Sequence, residues 1–259
     1  MSLRPNPLPR YHRWRTNVLN IPFMAAATIV CGSISLLLSL VDKSGSAQHQ
    51  VARIWARSLV FFAGSSLQVL GEENLRKYPV AVYASNHTSY MDTPVVFAAL
   101  RFQFRILAKK ELWPIAFIGW YLARSGQIPI DTRNPHATLS SLGVGVKALR
   151  SGLPLFVFPE GGRTPDGELQ PFLSGAAYLA IRAQVPLVPI ALQGVYSLLP
   201  MHTRHLYPGR LTLAAGDPIP TTGMSIRQTD ELTEKLRTAI QQLSEEINPA
   251  TSAREASVA

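Results

Sequence analysis

The sequence predicts an α/β fold with a largely parallel central sheet flanked by helices, preceded by an N-terminal apolar two-helix membrane motif. Three observations predict it. From about residue 66, short β-rich runs alternate with helix-period runs, as a layered domain with crossover helices requires. Several strand runs are apolar throughout, which suits strands covered on both faces. Residues 18–41 carry no charged side chain, and a helix of that length crosses a hydrocarbon core of about 30 Å.

The apolar run is preceded by Arg4, Arg10, Arg13 and Arg15 and followed by Arg53 and Arg57. A single span would leave positive charge at both ends, against the tendency of Lys and Arg to stay on one face. A second apolar stretch at 54–70 carries Trp55, Leu59, Phe61 and Phe62. Two helices that dip into one leaflet and return keep all these arginines on one side. That monotopic hairpin is favoured over a true span, with a buried core helix as the third reading. No clear small-residue cleavage site follows the run, so it does not read as a signal peptide.

Residues 79–85 (PVAVYAS) read as a buried strand and 88–100 as the helix after it. Strands at 104–108, 127–131, 154–158, 186–192 and 210–214 alternate with helices at 111–124, 137–151 and 173–183. Leu232, Leu236, Ile240, Leu243 and Ile247 stripe one face of a last amphipathic helix. The expected division is a membrane-associating motif at 1–65, an α/β domain at 66–248 and a small, polar, disordered tail at 249–259.

The 259 residues suit one α/β domain with a small appendage. They are 47% hydrophobic and 16% charged with net charge +9, more apolar than ordinary soluble domains and suited to anionic partners. Basic residues are spread thinly and no nucleic-acid motif is present, so nucleic acid is not an expected partner. Cys31 stands alone, which excludes an intramolecular disulfide and a Cys-rich metal site. His136, His202 and His205 are scattered without metal-ligand spacing.

Two polar constellations follow apolar strands. In the first, Asn86, His87 and Asp92 sit where a strand gives way to a helix. Asp92 can hold one imidazole nitrogen of His87 while the other faces a cleft, the arrangement of a general base. The same residues also read as helix capping, with Asn86, Thr88 and Ser89 as N-caps and an acid near the helix start. In the second, Phe158-Pro159-Glu160-Gly161-Gly162-Arg163-Thr164 follows a strand directly. Its glycines allow backbone N–H groups to approach an anion, and Arg163 offers a fork for phosphate oxygens. A polar turn with a surface ion pair fits it equally.

Taken together, Asn86-His87 with Asp92, and the 158–164 stretch about seventy residues later, resemble the glycerolipid acyltransferases, specifically the lysophosphatidic acid (1-acylglycerol-3-phosphate) acyltransferase family. Residues 126–131 (GQIPID) and 185–190 (VPLVPI) resemble two more of its blocks in order and spacing, and Lys109-Lys110-Glu111-Leu112 the text between blocks. The resemblance implies transfer of a fatty acyl group from acyl-CoA or acyl carrier protein to a lysophospholipid hydroxyl, without a covalent enzyme intermediate, cofactor or metal. His87 is then the base and Asp92 its orienting acid. Asn86, Glu160, Gly161, Gly162, Arg163, Thr164 and Arg133 are the expected acceptor-binding residues. The expected location is the membrane, at the cytoplasmic face of the inner membrane.

Two positions depart from the family pattern. Thr132 follows Asp131 where an arginine is usual, with Arg133 one later, and Leu173 stands where a lysine is usual. Acceptor identity is therefore open to another lyso-lipid, such as a lyso-ornithine lipid. An esterase would share the base but lacks a Gly-x-Ser-x-Gly elbow here. A metal-dependent phosphohydrolase lacks ligands beyond His87 and Asp92. A non-enzymatic membrane scaffold leaves both polar loops without a role.

Overall fold

The computed structural model describes residues 10–201, 203 and 205–248. Arg4, His202 and the expected tail at 249–259 lie outside the described residues.

The chain opens on α1 (Arg10–Arg15), a π-helical turn (Thr16–Asn20) and α2 (Ile21–Leu38), which follow one another without a break. Within it, Arg13–Leu38 is a 26-residue helical stretch long and apolar enough to cross a membrane. Its apolar side chains are largely uncovered: Val18, Leu19, Ile29, Val30 and Leu37 are all exposed. Helix α3 (Ser46–Phe62) returns beside it. Asn20 donates to the Phe62 carbonyl at 2.7 Å and Trp55 to the Thr28 hydroxyl at 3.0 Å, so the two helices run antiparallel.

The second apolar stretch is not one helix. Helix α3 ends at Phe62, and Gly64 follows with φ +76°. The Gly64 N–H donates to Phe61 O and the Ser65 N–H to Val60 O, the paired bonds of a Schellman stop, where the left-handed residue favours glycine. Residues of the same apolar run then form strand β1 (Ser66–Leu70). Helix α3 is also not purely a membrane element, because Val51, Ala52, Ala56, Leu59 and Val60 are buried in the core that α5 shares.

The remaining elements are α4 (Glu72–Lys77), β2 (Val82–Ser85), α5 (Asp92–Ala99), β3 (Arg105–Lys109), α6 (Ile118–Arg124) and β4 (Ile128–Ile130). They continue with α7 (Pro135–Arg150), β5 (Leu155–Val157), α8 (Gly175–Ala183), β6 (Leu187–Gln193), α9 (Val195–Leu198), β7 (Arg210–Ala215) and α10 (Thr229–Glu246). The seven strands order as β1-β7-β6-β2-β5-β3-β4. Strands β2 to β6 pair in parallel, β7 is antiparallel to β6, and β1 is parallel to β7.

Each face of the sheet has its own apolar layer, which is why β2, β5 and β6 are buried without alternation. Tyr83, Phe97, Phe104, Phe156 and Ile190 pack with α3 and α5 on one side. Ala84, Leu155 and Leu187 meet Val146, Leu179 and Leu236 from α7, α8 and α10 on the other. The expected helix at 88–100 is shorter than its apolar pattern: residues 86–91 form an irregular turn before α5. The expected helix at 111–124 likewise splits into a 3-10 turn (Lys110–Leu112) and α6.

Candidate active site

The parallel strands β2, β3 and β5 are neighbours at the sheet centre, so their carboxyl ends share one edge. Open α/β sheets place their sites at such an edge. Strand β2 delivers the 86–91 turn, β5 delivers the loop from Phe158 onward, and β3 delivers Lys109.

In the first turn, His87 Nδ1 lies 2.8 Å from Asp92 Oδ2. Asp92 is fully buried at the first position of α5. The same Oδ2 accepts the backbone N–H groups of Thr88 at 2.6 Å and Ser89 at 2.8 Å. One carboxylate thus both folds the turn and holds the imidazole. Facing this acceptor, a neutral imidazole donates from Nδ1, which leaves Nε2 as the acceptor of the ring. The His87 ring stacks on Phe158 with centroids 4.0 Å apart, which fixes its plane.

The second loop closes over the first. Glu160 Oε1 accepts the His87 backbone N–H at 2.6 Å, and its Oε2 accepts the Gln170 N–H at 3.1 Å. The Thr164 N–H donates to His87 O at 3.0 Å. Burial pushes the Glu160 carboxyl up to about 7, against the pull of the two N–H donors. Gly161 has φ +67° and its Cα faces Leu173 so closely that an added Cβ would lie 2.7 Å from Leu173 Cδ1, which accounts for glycine there.

Between the loops lies a cleft of about 190 Å³, lined by His87, Tyr90, Lys109, Gly161, Gly162 and Arg163 and, on the apolar side, by Ile106, Leu107, Ile130, Leu142, Val157 and Ala176 among others. The Arg163 guanidinium lies 3.6 Å from the Tyr90 ring centroid, a cation–π contact that holds it over the cleft. Thr132 and Leu173, the two departures from the family pattern, both line this cleft.

The other expected residues fall elsewhere. Asn86 is buried, and its amide accepts from Leu192 N at 2.8 Å and donates to Leu192 O at 3.0 Å, extending the pairing of β2 with β6. Thr164 is fully buried and its hydroxyl accepts the Gly167 N–H at 3.0 Å. Arg133 is exposed beside Asp131, which pairs with Lys110. Sequence reasoning passed over Lys109 as a site residue; its signal was its place at a strand end on the edge that carries His87.

A buried carboxylate, an imidazole and two cations around one apolar-walled cleft form a set of the class suited to activating a hydroxyl beside an anionic group. The comparisons narrow that class. The family profile described as Acyltransferase matches residues 66–193. A 1-acyl-sn-glycerol-3-phosphate acyltransferase of Saccharomyces cerevisiae is 30% identical over 206 residues, 78% of this chain and 68% of the relative. The chloroplastic enzyme BAT2 of Brassica napus, of the same description, is 32% identical over 153 residues, 59% of this chain. This chain spans 44% of that relative's length. The crystal structure of the 1-acyl-sn-glycerophosphate acyltransferase PlsC of Thermotoga maritima superposes with a TM-score of 0.76 at 24% identity, covering 91% of this chain and 97% of that one, which shows a shared fold. This chain belongs to the 1-acyl-sn-glycerol-3-phosphate acyltransferase family.

Proposed function

We propose that this acyltransferase moves a fatty acyl group from acyl-CoA or acyl carrier protein to the free hydroxyl of 1-acyl-sn-glycerol 3-phosphate, giving phosphatidic acid. One observation carries the reading: the free nitrogen of an Asp92-held His87 shares its cleft with Lys109 and Arg163. His87 Nε2 takes the proton of the acceptor hydroxyl as its oxygen bonds to the thioester carbonyl carbon. Asp92 steadies the imidazolium so formed. Collapse of the tetrahedral intermediate breaks the carbon–sulfur bond, and the departing thiolate takes the proton back from His87. Lys109 and Arg163 hold the acceptor phosphate, and the apolar wall receives acyl chain. Glu160, Gly161, Gly162 and Thr164 shape the loop that carries Arg163, and Asn86 holds the end of β2.

The work place is the membrane surface, at the cytoplasmic face of the inner membrane, supported by the uncovered apolar side chains of α2 beside the domain. A second reading is supported by Thr132 and Leu173 in the cleft lining: an acceptor with another headgroup, such as a lyso-ornithine lipid, needs fewer cations there.

The test offers labelled palmitoyl-CoA and palmitoyl-acyl carrier protein with lysophosphatidate, glycerol 3-phosphate, a lyso-ornithine lipid or water alone. The expected result is phosphatidate from lysophosphatidate, reduced about 10³-fold in His87→Ala, since a general base supplies roughly 10²–10⁴. Transfer to another acceptor alone would overturn the acceptor, and free fatty acid alone would overturn the transferase reading. Retained turnover in His87→Ala would remove the base assignment.

A further inference from the structure

A second groove lies on the flank of the domain, between α3, the carboxyl end of α5 and the edge strand β1. It encloses about 300 Å³ and shares no lining residue with the catalytic cleft. Its walls are apolar, from Val60, Phe61, Leu67, Val69, Ala98 and Ala99, and its rim carries Arg57 and Arg101. Arg53 stands one helical turn before Arg57 on the same face of α3.

The charge of this cluster is uncompensated. Arg57 reaches the Ala98 carbonyl at 3.4 Å, and Arg53 reaches the Arg101 carbonyl at 3.4 Å and Gln50 at 3.1 Å. These contacts with the end of α5 explain where the side chains lie, but they neutralise no charge. The Arg53 Nε is buried with no partner. Glu72 lies 3.9 Å from Arg101 and already pairs with Arg76 at 2.5 Å. Burial and then the charges of Arg57 and Arg101 push Arg53 down from its usual range. Three guanidinium groups held together with one shared carboxylate form a positive patch that attracts an anion.

The apolar walls select the kind of anion. Free phosphate would leave Phe61 and the uncovered parts of Leu67 and Val69 in water, whereas an amphiphile covers them. The groove also continues into uncovered apolar surface, since Phe61 is 74% and Phe62 44% exposed. We infer that this groove is a second lipid site, which binds an anionic phospholipid with its phosphate on Arg57 and Arg101 and an acyl chain along Val60, Leu67 and Val69. The site is independent of which acceptor the catalytic cleft uses, and binding rather than turnover tests it.

The experiment is native mass spectrometry of the full chain released from neutral detergent, titrated with phosphatidylglycerol, phosphatidylcholine or inorganic phosphate. Wild type should retain phosphatidylglycerol in preference to phosphatidylcholine. The double variant Arg57→Ala/Arg101→Ala should bind it roughly thirtyfold more weakly, from the usual worth of two basic residues at an anionic lipid surface. Val69→Trp fills the groove with both arginines kept and should also weaken it. The control pair Arg150→Ala/Arg227→Ala, exposed elsewhere, should leave it unchanged. The inference is overturned if the Arg57/Arg101 pair binds as wild type, if the control pair weakens it equally, or if phosphatidylcholine binds as well. Competition by inorganic phosphate as effective as that of lipid would also overturn it, because the apolar walls would then contribute nothing.

Discussion

Glu160 holds the peptide of His87: its carboxylate accepts the His87 N–H at 2.6 Å, from a loop 73 residues away in sequence. With the Thr164 N–H on the His87 carbonyl, both backbone polar groups of His87 find their partners in the second loop. Both Glu160 oxygens are engaged by backbone, an arrangement suited to positioning His87 and not to holding an acceptor. Glu160→Ala should lower kcat about tenfold or more with little change in KM, and lower stability by about 1–3 kcal/mol through unpaired N–H groups. Glu160→Gln keeps one acceptor oxygen and should recover part of both. Paired kinetics and thermal melts check this; a KM effect alone would mean that Glu160 binds the acceptor instead.

Glu160 and His49 give stability opposite dependences on pH. The folded Glu160 carboxyl is raised from 4.5 to about 7 by burial. The folded protein therefore binds more protons than the unfolded chain between these values, and stability falls as pH rises through that window. His49 is buried against Phe97 and Phe104 and lies 3.0 Å from the Phe102 carbonyl. Burial lowers it from 6.5 to about 4, so here the unfolded chain binds more protons and stability falls as pH drops from 6.5 towards 4. The two windows overlap, so the effects largely offset each other and denaturant titrations of wild type should show little change between pH 4.5 and 6.5. Glu160→Gln should unmask the His49 effect, a loss of stability on acidification from 6.5 towards 4, and His49→Phe the Glu160 effect, a loss as pH rises from 4.5 to 7; profiles as flat as wild type in both variants would remove these two groups as the cause.

Asp92→Asn separates the two duties of that carboxylate. A side-chain oxygen still accepts from the Thr88 and Ser89 N–H groups that converge on Oδ2, so the turn should persist. The neutral amide cannot stabilise an imidazolium at His87, 2.8 Å away. The variant should fold with a melting temperature near that of wild type and lose about 10²-fold or more in kcat. A variant that unfolds would show that folding the turn is the larger of the two duties.

The sheet was legible because its buried strands are apolar without interruption, as in β2 and β6. Strand β1 escaped notice because Ser66–Leu70 continues the apolar text of α3, and only Gly64 marks the stop. The short helices α4 and α9 bury too few side chains to show a period. In the site, His87 and Asp92 were legible because their chemistry depends on local spacing. Asn86 and Thr164 were expected to meet the acceptor, yet their side chains are bonded within the protein, to Leu192 across β6 and to Gly167 within the loop. Long-range partners such as Leu192 leave no trace in a single sequence. Lys109 was hidden for the same reason, since only the parallel pairing of β3 with β5 brings its strand end beside Gly162.

The cations of the cleft predict a graded set of kinetic effects. The Arg163 guanidinium carbon lies over Tyr90, 3.6 Å from the ring centroid, and Arg163 lines the cleft. Lys109 lines it too, with Nζ 3.6 Å from where a Gly162 Cβ would stand. Arg133 is exposed and absent from the lining, where its neighbour Thr132 appears instead. A charge-assisted bond to phosphate is worth about 1.5–3 kcal/mol, so Lys109→Ala and Arg163→Ala should each raise the KM for a phosphorylated acceptor by about tenfold or more. Arg163→Lys should not restore function fully, because an ammonium lacks the planar face that stacks on Tyr90. Arg133→Ala should stay close to wild type. Thr132→Arg adds a cation to the lining and should lower the KM for lysophosphatidate while leaving a neutral-headgroup acceptor unaffected. Steady-state kinetics with both acceptors decide the matter. A large effect of Arg133→Ala with none from Lys109→Ala would move the phosphate site away from β3 and onto the loop after β4.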